Sequence, residues 1–144
     1  MDKLKGMGFQ AVKAGKSSKY ISIDDLGVIS FSGGLRRELA IKQKENAVIY
    51  FNPDEGLLAI HIGTFDRKKN PDMSIISMGR DGEIRARDEL LFIEDEHRGY
   101  ELVPSEGKKN NFDNVEIEKV TEKPDPYSRM VLVTVKRGKV PFRG

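Results

Sequence analysis

Few residues in this chain are of types that do chemistry. There is no cysteine and there are only two histidines, His61 and His97, which removes thiolate catalysis, disulfides and cysteine-ligated zinc. His61 stands in the alternating run LLAIHIG and His97 in the charged stretch EDEHRG. Neither has the HxH or HxxxH spacing of a metal site. Pro53-Asp54 followed by Asp66-Arg67-Lys68 fits, as letters, the PD…(D/E)xK arrangement of a metal-dependent nuclease, in which carboxylates hold a divalent cation and a lysine assists the attacking water. Proline and acid ahead of Glu55-Gly56 are also the composition of a tight turn, so the nuclease stands as an alternative and no catalytic residue is expected. SGG at 32–34 lacks the context of a phosphate-cradling glycine motif. EDE at 94–96 lacks the alternating oxygen spacing of a calcium loop. No metal and no cofactor are expected.

The cations carry more. In LRRELAI (35–41), Leu35 and Leu39 recur at helical spacing, which leaves Arg36, Arg37 and Glu38 outward. Adjacent guanidinium groups suit phosphate oxygens through bidentate, charge-assisted bonds; the competing reading pairs them with Glu38 and with Asp24 or Asp25. Net charge is only +2 but is unevenly placed. Residues 1–20 hold five lysines against Asp2, and from Arg129 onward there are five bases and no acid, whereas residues 83–119 hold eleven acids against six bases. Basic ends around an acidic segment suggest a polyanionic partner. The expected DNA-binding set is Arg36, Arg37, Lys13, Lys16, Lys19, Lys42 and Lys44, with a second basic patch at Lys136, Arg137 and Lys139.

Strands must position these residues. The chain has 144 residues, 38% hydrophobic and 33% charged, enough for one domain or two small ones. YISID (20–24) and VISFS (28–32) alternate around the turn DLG, and AVIYFN (47–52) and LLAIHIG (57–63) flank PDEG, so both pairs read as hairpins. Ser32 is placed to cap a helical turn over 35–41. After a polar linker at 64–72 the pattern returns in outline. MSIISMGRDGEI (73–84) reads as strand, turn, strand, RDELLFI (87–93) as a short amphipathic piece with Asp88 and Glu89 where the first copy is basic, GYELVPSEG (99–107) as a strand, GKKNNFD (107–113) as a loop and NVEIEKV (114–120) as a strand.

The expectation is a mainly β protein, a barrel or sandwich built from two pseudo-repeated β-β-turn-β-β units with short helical turns. The units span 20–63 and 73–120, with a basic arm at 1–19, a closing strand at 127–138 and a tail at 139–144. One unit is too small to bury a core alone; the second copy in the chain supplies the partner, as a homodimer would. Of the aromatics, Phe31 and Phe92 are expected in the core. Either Tyr50 or Phe51 must face away from it, and Tyr20 follows a lysine-rich stretch.

At these residues a resemblance enters. DDLGVISFSGGLRRELAIKQKENAVIYFNPDEG resembles the swapped-hairpin domain of the AbrB/SpoVT family of transcription regulators, with Asp25, Leu26, Gly27, Ile29, Leu35, Arg36, Arg37, Leu39 and Ile41 in register over about 40 residues. Val28 stands where that family usually has arginine, and SGG where it usually has proline. The resemblance implies an intertwined β barrel that binds double-stranded DNA with Arg36 and Arg37 on the DNA face. The expected function is thus a non-catalytic, transcription-regulator-like DNA binder of phage or prokaryotic type. Double-stranded DNA is favoured. The alternatives are a structural or protein-interaction β protein, such as a virion component, and a single-stranded DNA-binding protein that stacks bases on its aromatics. No window approaches the roughly 18 apolar residues of a membrane span, and MDKLKGMGFQAVKAG lacks the features of a signal peptide, so a cytoplasmic location without a membrane partner is expected.

Overall fold

The computed structural model describes residues 19–42, 44–119 and 129–135. The arm residues Lys13 and Lys16, and Lys136, Arg137 and Lys139 of the second basic patch, lie outside them, as does the tail.

Alternation decides the first half. β1 (Ile21–Asp24) and β2 (Val28–Phe31) form an antiparallel hairpin with Ile21 opposite Phe31 and Ile23 opposite Ile29, which puts four apolar side chains on one buried face. The turn between them is closed by Asp24, whose Oδ1 accepts from the Leu26 and Val28 amides. It also needs Gly27, at φ +75°, where a Cβ would sit 2.4 Å from the Arg87 Cα. Helix α1 (Gly33–Leu39) follows. Strands β3 (Asn46–Asn52) and β4 (Leu57–Gly63) then pair over their whole length around the PDEG turn.

Helix α2 (Arg87–Glu96) of the second half sits between short strands. β5 (Ile75–Ser77) pairs with β3, and β6 (Ile84–Arg85) pairs with β2. The predicted 73–84 hairpin is therefore split between two sheets and keeps only the bridge Met78–Ile84. β7 (Lys109–Phe112) pairs with β1, and β8 (Val115–Lys119) with β9 (Arg129–Thr134), which in turn pairs with β4. The result among the described residues is mainly β: two antiparallel sheets, ordered β6-β2-β1-β7 and β5-β3-β4-β9-β8. Neither sheet closes into a barrel. Both feed one buried cluster, with Ile21, Ile23 and Ile29 from the first sheet, Leu58, Ile60, Val131 and Val133 from the second, and Leu35, Leu39 and Leu90 from the helices. No helix is long and apolar enough to cross a membrane among the described residues.

Three further expectations are corrected. GYELVPSEG (99–107) carries no strand. The Asn110 side chain donates to the Glu101 and Leu102 carbonyls, and the Val103 amide donates to the Glu94 carboxylate, so side chains take the backbone groups that a strand would offer to a ladder. The loop expected at 107–113 contains β7 instead. Its KNNF sequence has little strand character, and β1 imposes the extended form by pairing with all four residues. Phe92 is 64% exposed rather than in the core, because the buried face of α2 is set by Leu90 and Ile93 and Phe92 points the other way. Phe31 is buried. Of the neighbouring aromatics, Phe51 packs edge-on against Tyr100 while Tyr50 is the exposed one.

Candidate nucleic-acid interface

Helix α1 turns two arginines to solvent. Ser32 Oγ accepts from the Leu35 amide at its start. Leu35 and Leu39, one turn apart, are fully buried. Ala40, in the left-handed region at φ 49°, ends it with its amide bonded to the Arg36 carbonyl. With the apolar side consumed by the core, Arg36, Arg37 and Glu38 are exposed.

The chain then folds back through Lys42 and Lys44 before entering β3. The Lys42 amide donates to Glu45 Oε1 at 2.6 Å, and the Glu45 amide donates to the Lys42 carbonyl at 3.4 Å. Lys44 takes a φ of 69° inside this small loop, and both lysine side chains are exposed. Facing α1 is a tight turn from the second half, Gly79–Gly82, closed by bonds from the Gly79 amide to the Glu83 carbonyl and from the Gly82 amide to the Gly79 carbonyl. Arg36 reaches across and donates from Nη1 to the Asp81 carbonyl at 3.3 Å. The approach is close: a Cβ on Gly82, which has φ +78°, would lie 3.1 Å from Ile41 Cδ1.

Between these walls lies an open cleft of about 550 Å³, lined by Arg36, Arg37, Lys42, Lys44 and Arg80 among others. Two acids line it, Asp81 and Glu45. Glu45 is answered by Arg129 of β9, which binds it with two parallel N–H···O bonds of 2.8 and 2.9 Å and with both side chains nearly out of solvent. The cleft therefore carries a clear excess of positive charge. Such a surface can hold a ligand bearing several anionic groups, through guanidinium and ammonium contacts.

Four of the sequence-predicted cations, Arg36, Arg37, Lys42 and Lys44, thus converge. Lys19 does not join them; its ammonium pairs with Glu38, with both side chains about half exposed. Of the carboxylates expected to compete for the arginine pair, Glu38 thus pairs with Lys19, Asp24 Oδ1 accepts within its own turn and Asp25 Oδ2 accepts from the Gly107 amide. Sequence reasoning missed Arg80, Glu45 and Arg129. Arg80 stands in RDG, a turn signal, where a charge reads as solvated. Nothing in the sequence brings that turn to α1.

The other candidate chemistry does not assemble. Asp54 sits in the β3–β4 turn and Asp66 beyond the opposite end of β4, a seven-residue strand of roughly 20 Å, so the nuclease-like letters do not meet. Asp66 Oδ1 accepts from the Lys68 amide within its own loop. His61 packs edge-on against Phe65, and His97 lies against Phe51. Among the described residues, Glu94 is the group with a displaced pKa. Burial raises it, the Val103 and Leu102 amides oppose that, and the nearby Glu101 and Asp95 charges add to it. It lies on α2, away from the cleft-lining residues.

Compared with known proteins, the chain matches no family model, no curated protein and no solved structure.

Proposed function

We propose that this protein is a non-catalytic nucleic-acid-binding protein whose cationic cleft contacts backbone phosphates. The observation that carries the reading is the convergence of Arg36, Arg37, Lys42 and Lys44, joined by Arg80 from a distant turn, on one open cleft. Five cations on facing walls are what a polyanion needs, and a phosphate chain of regularly spaced charges is the ligand that rewards them all. The resemblance of residues 24–56 to AbrB/SpoVT-type domains favours double-stranded DNA and a role in transcription regulation, in a cytoplasmic protein that functions alone or as a homodimer. Arg36 and Arg37 are the main contacts, and Lys42, Lys44 and Arg80 extend the track.

The test is a fluorescence-anisotropy titration of labelled duplex across salt. Replacing Arg36 and Arg37 together by alanine lowers affinity and reduces the slope of log K against log salt by about 2, since each lost phosphate contact removes about 0.9. Neither side chain is in the core, so the thermal melt stays in place. An unchanged slope refutes the assignment.

A second reading, a protein-interaction β protein such as a virion component, draws on Leu26 and Phe92, which are 66% and 64% exposed. This reading requires that they belong to one contiguous apolar surface, the kind of patch that marks a partner site. An absence of retention on heparin at modest salt favours it over the first.

A further inference from the structure

We infer that Arg129 is a positioning residue of the cleft: acting through Glu45, it sets both the charge of the cleft floor and the shape of the loop that presents Lys42 and Lys44. The inference rests on the reading of the cleft as a polyanion site.

Glu45 lines the cleft, and its side chain is only 6% exposed. A bare carboxylate there would oppose any anionic ligand, and little water reaches the Glu45 side chain to screen it. The structure removes that opposition from behind. Arg129 starts β9 opposite Ile62, which is itself opposite Ala47 on β3. Arg129 and Glu45 therefore meet at one end of the second sheet, 84 residues apart in sequence. Its guanidinium takes both carboxylate oxygens, Nη1 to Oε2 at 2.9 Å and Nη2 to Oε1 at 2.8 Å. This is the fork geometry that lysine cannot reproduce. The same Oε1 accepts from the Lys42 amide at 2.6 Å. One carboxylate thus ties the strand that carries Arg129 to the loop that carries two of the five cleft cations. An acid at this place in a cationic cleft makes sense as a tether, provided that its charge is cancelled.

Tether and charge make opposite demands on Glu45, and this separates the inference from a plain stabilising ion pair. Glu45→Gln keeps an oxygen for the Lys42 amide but deletes the negative charge, leaving the Arg129 cation under the cleft. Arg129→Met does the reverse and exposes an unanswered carboxylate. A pair that merely holds the fold together loses affinity either way. A pair that sets the charge of the site shifts affinity in two directions.

The experiment is the anisotropy titration on labelled duplex with Glu45→Gln, Arg129→Met and the double variant, each checked for folding by circular dichroism. Glu45→Gln is expected to bind several-fold tighter at low salt with a steeper salt dependence. Arg129→Met is expected to bind about tenfold more weakly, as a like charge within a few ångströms dictates. The double variant returns close to the parent. Where Arg129→Met does not fold, for which an unpaired buried carboxylate is reason enough, the sign of the Glu45→Gln change still decides. Weaker or unchanged binding by folded Glu45→Gln overturns the inference, provided that Arg36→Ala with Arg37→Ala does lower affinity in the same assay. If that arginine variant also binds like the parent, the reading of the cleft itself has failed.

Discussion

Helices α1 and α2 follow β2 and β6, strands that pair antiparallel with each other. Each helix sits against the glycine turn of the other half: Gly82 faces Ile41 and Arg36, and Gly27 faces Arg87. Each is anchored by two apolar side chains, Leu35 and Leu39 in one and Leu90 and Ile93 in the other. Outward, the two differ in balance. α1 shows Arg36, Arg37 and Glu38; α2 shows Arg87, Asp88, Phe92, Asp95 and Glu96. The ends differ too, since Ser32 caps α1 with its hydroxyl, whereas α2 has no side-chain cap and relies on Asp88 and Glu89 in its first turn. The lesson is that packing constrains only the inward positions of a short helix. The outward ones are open to specialisation, and here one became cationic and the other acidic with an exposed phenyl ring.

If the two helices are equivalent anchors, truncating either must cost about the same. Leu35→Ala and Leu90→Ala, both fully buried, are each expected to lose about 2–5 kcal/mol in urea denaturation. A large loss for one and a negligible loss for the other would break the equivalence. The glycine turns should differ instead. Gly27→Ala combines a φ of +75° with backbone of Arg87 at 2.4 Å, whereas Gly82→Ala at φ +78° meets only side-chain atoms, Ile41 Cδ1 at 3.1 Å and Arg36 Cδ at 4.0 Å. Gly82→Ala is expected to cost about 1 kcal/mol for its left-handed backbone, and Gly27→Ala distinctly more. Equal melting points for the two variants would contradict the contact geometry.

The smallest effect belongs to Glu94 on α2. Burial raises its pKa, so the folded state holds this proton more tightly than the unfolded chain does. Its contribution to stability is complete below the unfolded carboxyl pKa of about 4.3 and falls as pH rises through the folded value. Glu94→Gln keeps an acceptor for the Val103 amide and removes that fall. The expected result is a variant slightly more stable than the parent at neutral pH and no more stable below the carboxyl range, read from melts at the two pH values. A variant less stable than the parent at neutral pH would show that the charge itself is useful there.

The first half was largely legible. Period-two alternation, DLG and PDEG turns, a serine cap and Leu35/Leu39 spacing are local signals, and local backbone preference obeys them. The second half was read less well, for physical reasons visible at particular residues. Residues 100–103 look like a strand, but Asn110 and Glu94 occupy their backbone groups. Lys109–Phe112 look like a loop, but β1 offers a full set of ladder partners. Phe92 looks like core, but the helix turns it outward.

By itself, then, the sequence determined the strands of the first half to within a residue, that a short helix would follow Ser32, although it spans Gly33–Leu39 rather than 35–41, and that its two arginines would face solvent. These outcomes depend on neighbours within one or two turns of chain. Only the tertiary structure decided that Arg80 faces those arginines, that Lys19 turns to Glu38, and that Arg129 answers Glu45 from 84 residues away. A charge acts through space on whatever the fold brings within a few ångströms, and charged residues in turns carry no local pattern that names that partner.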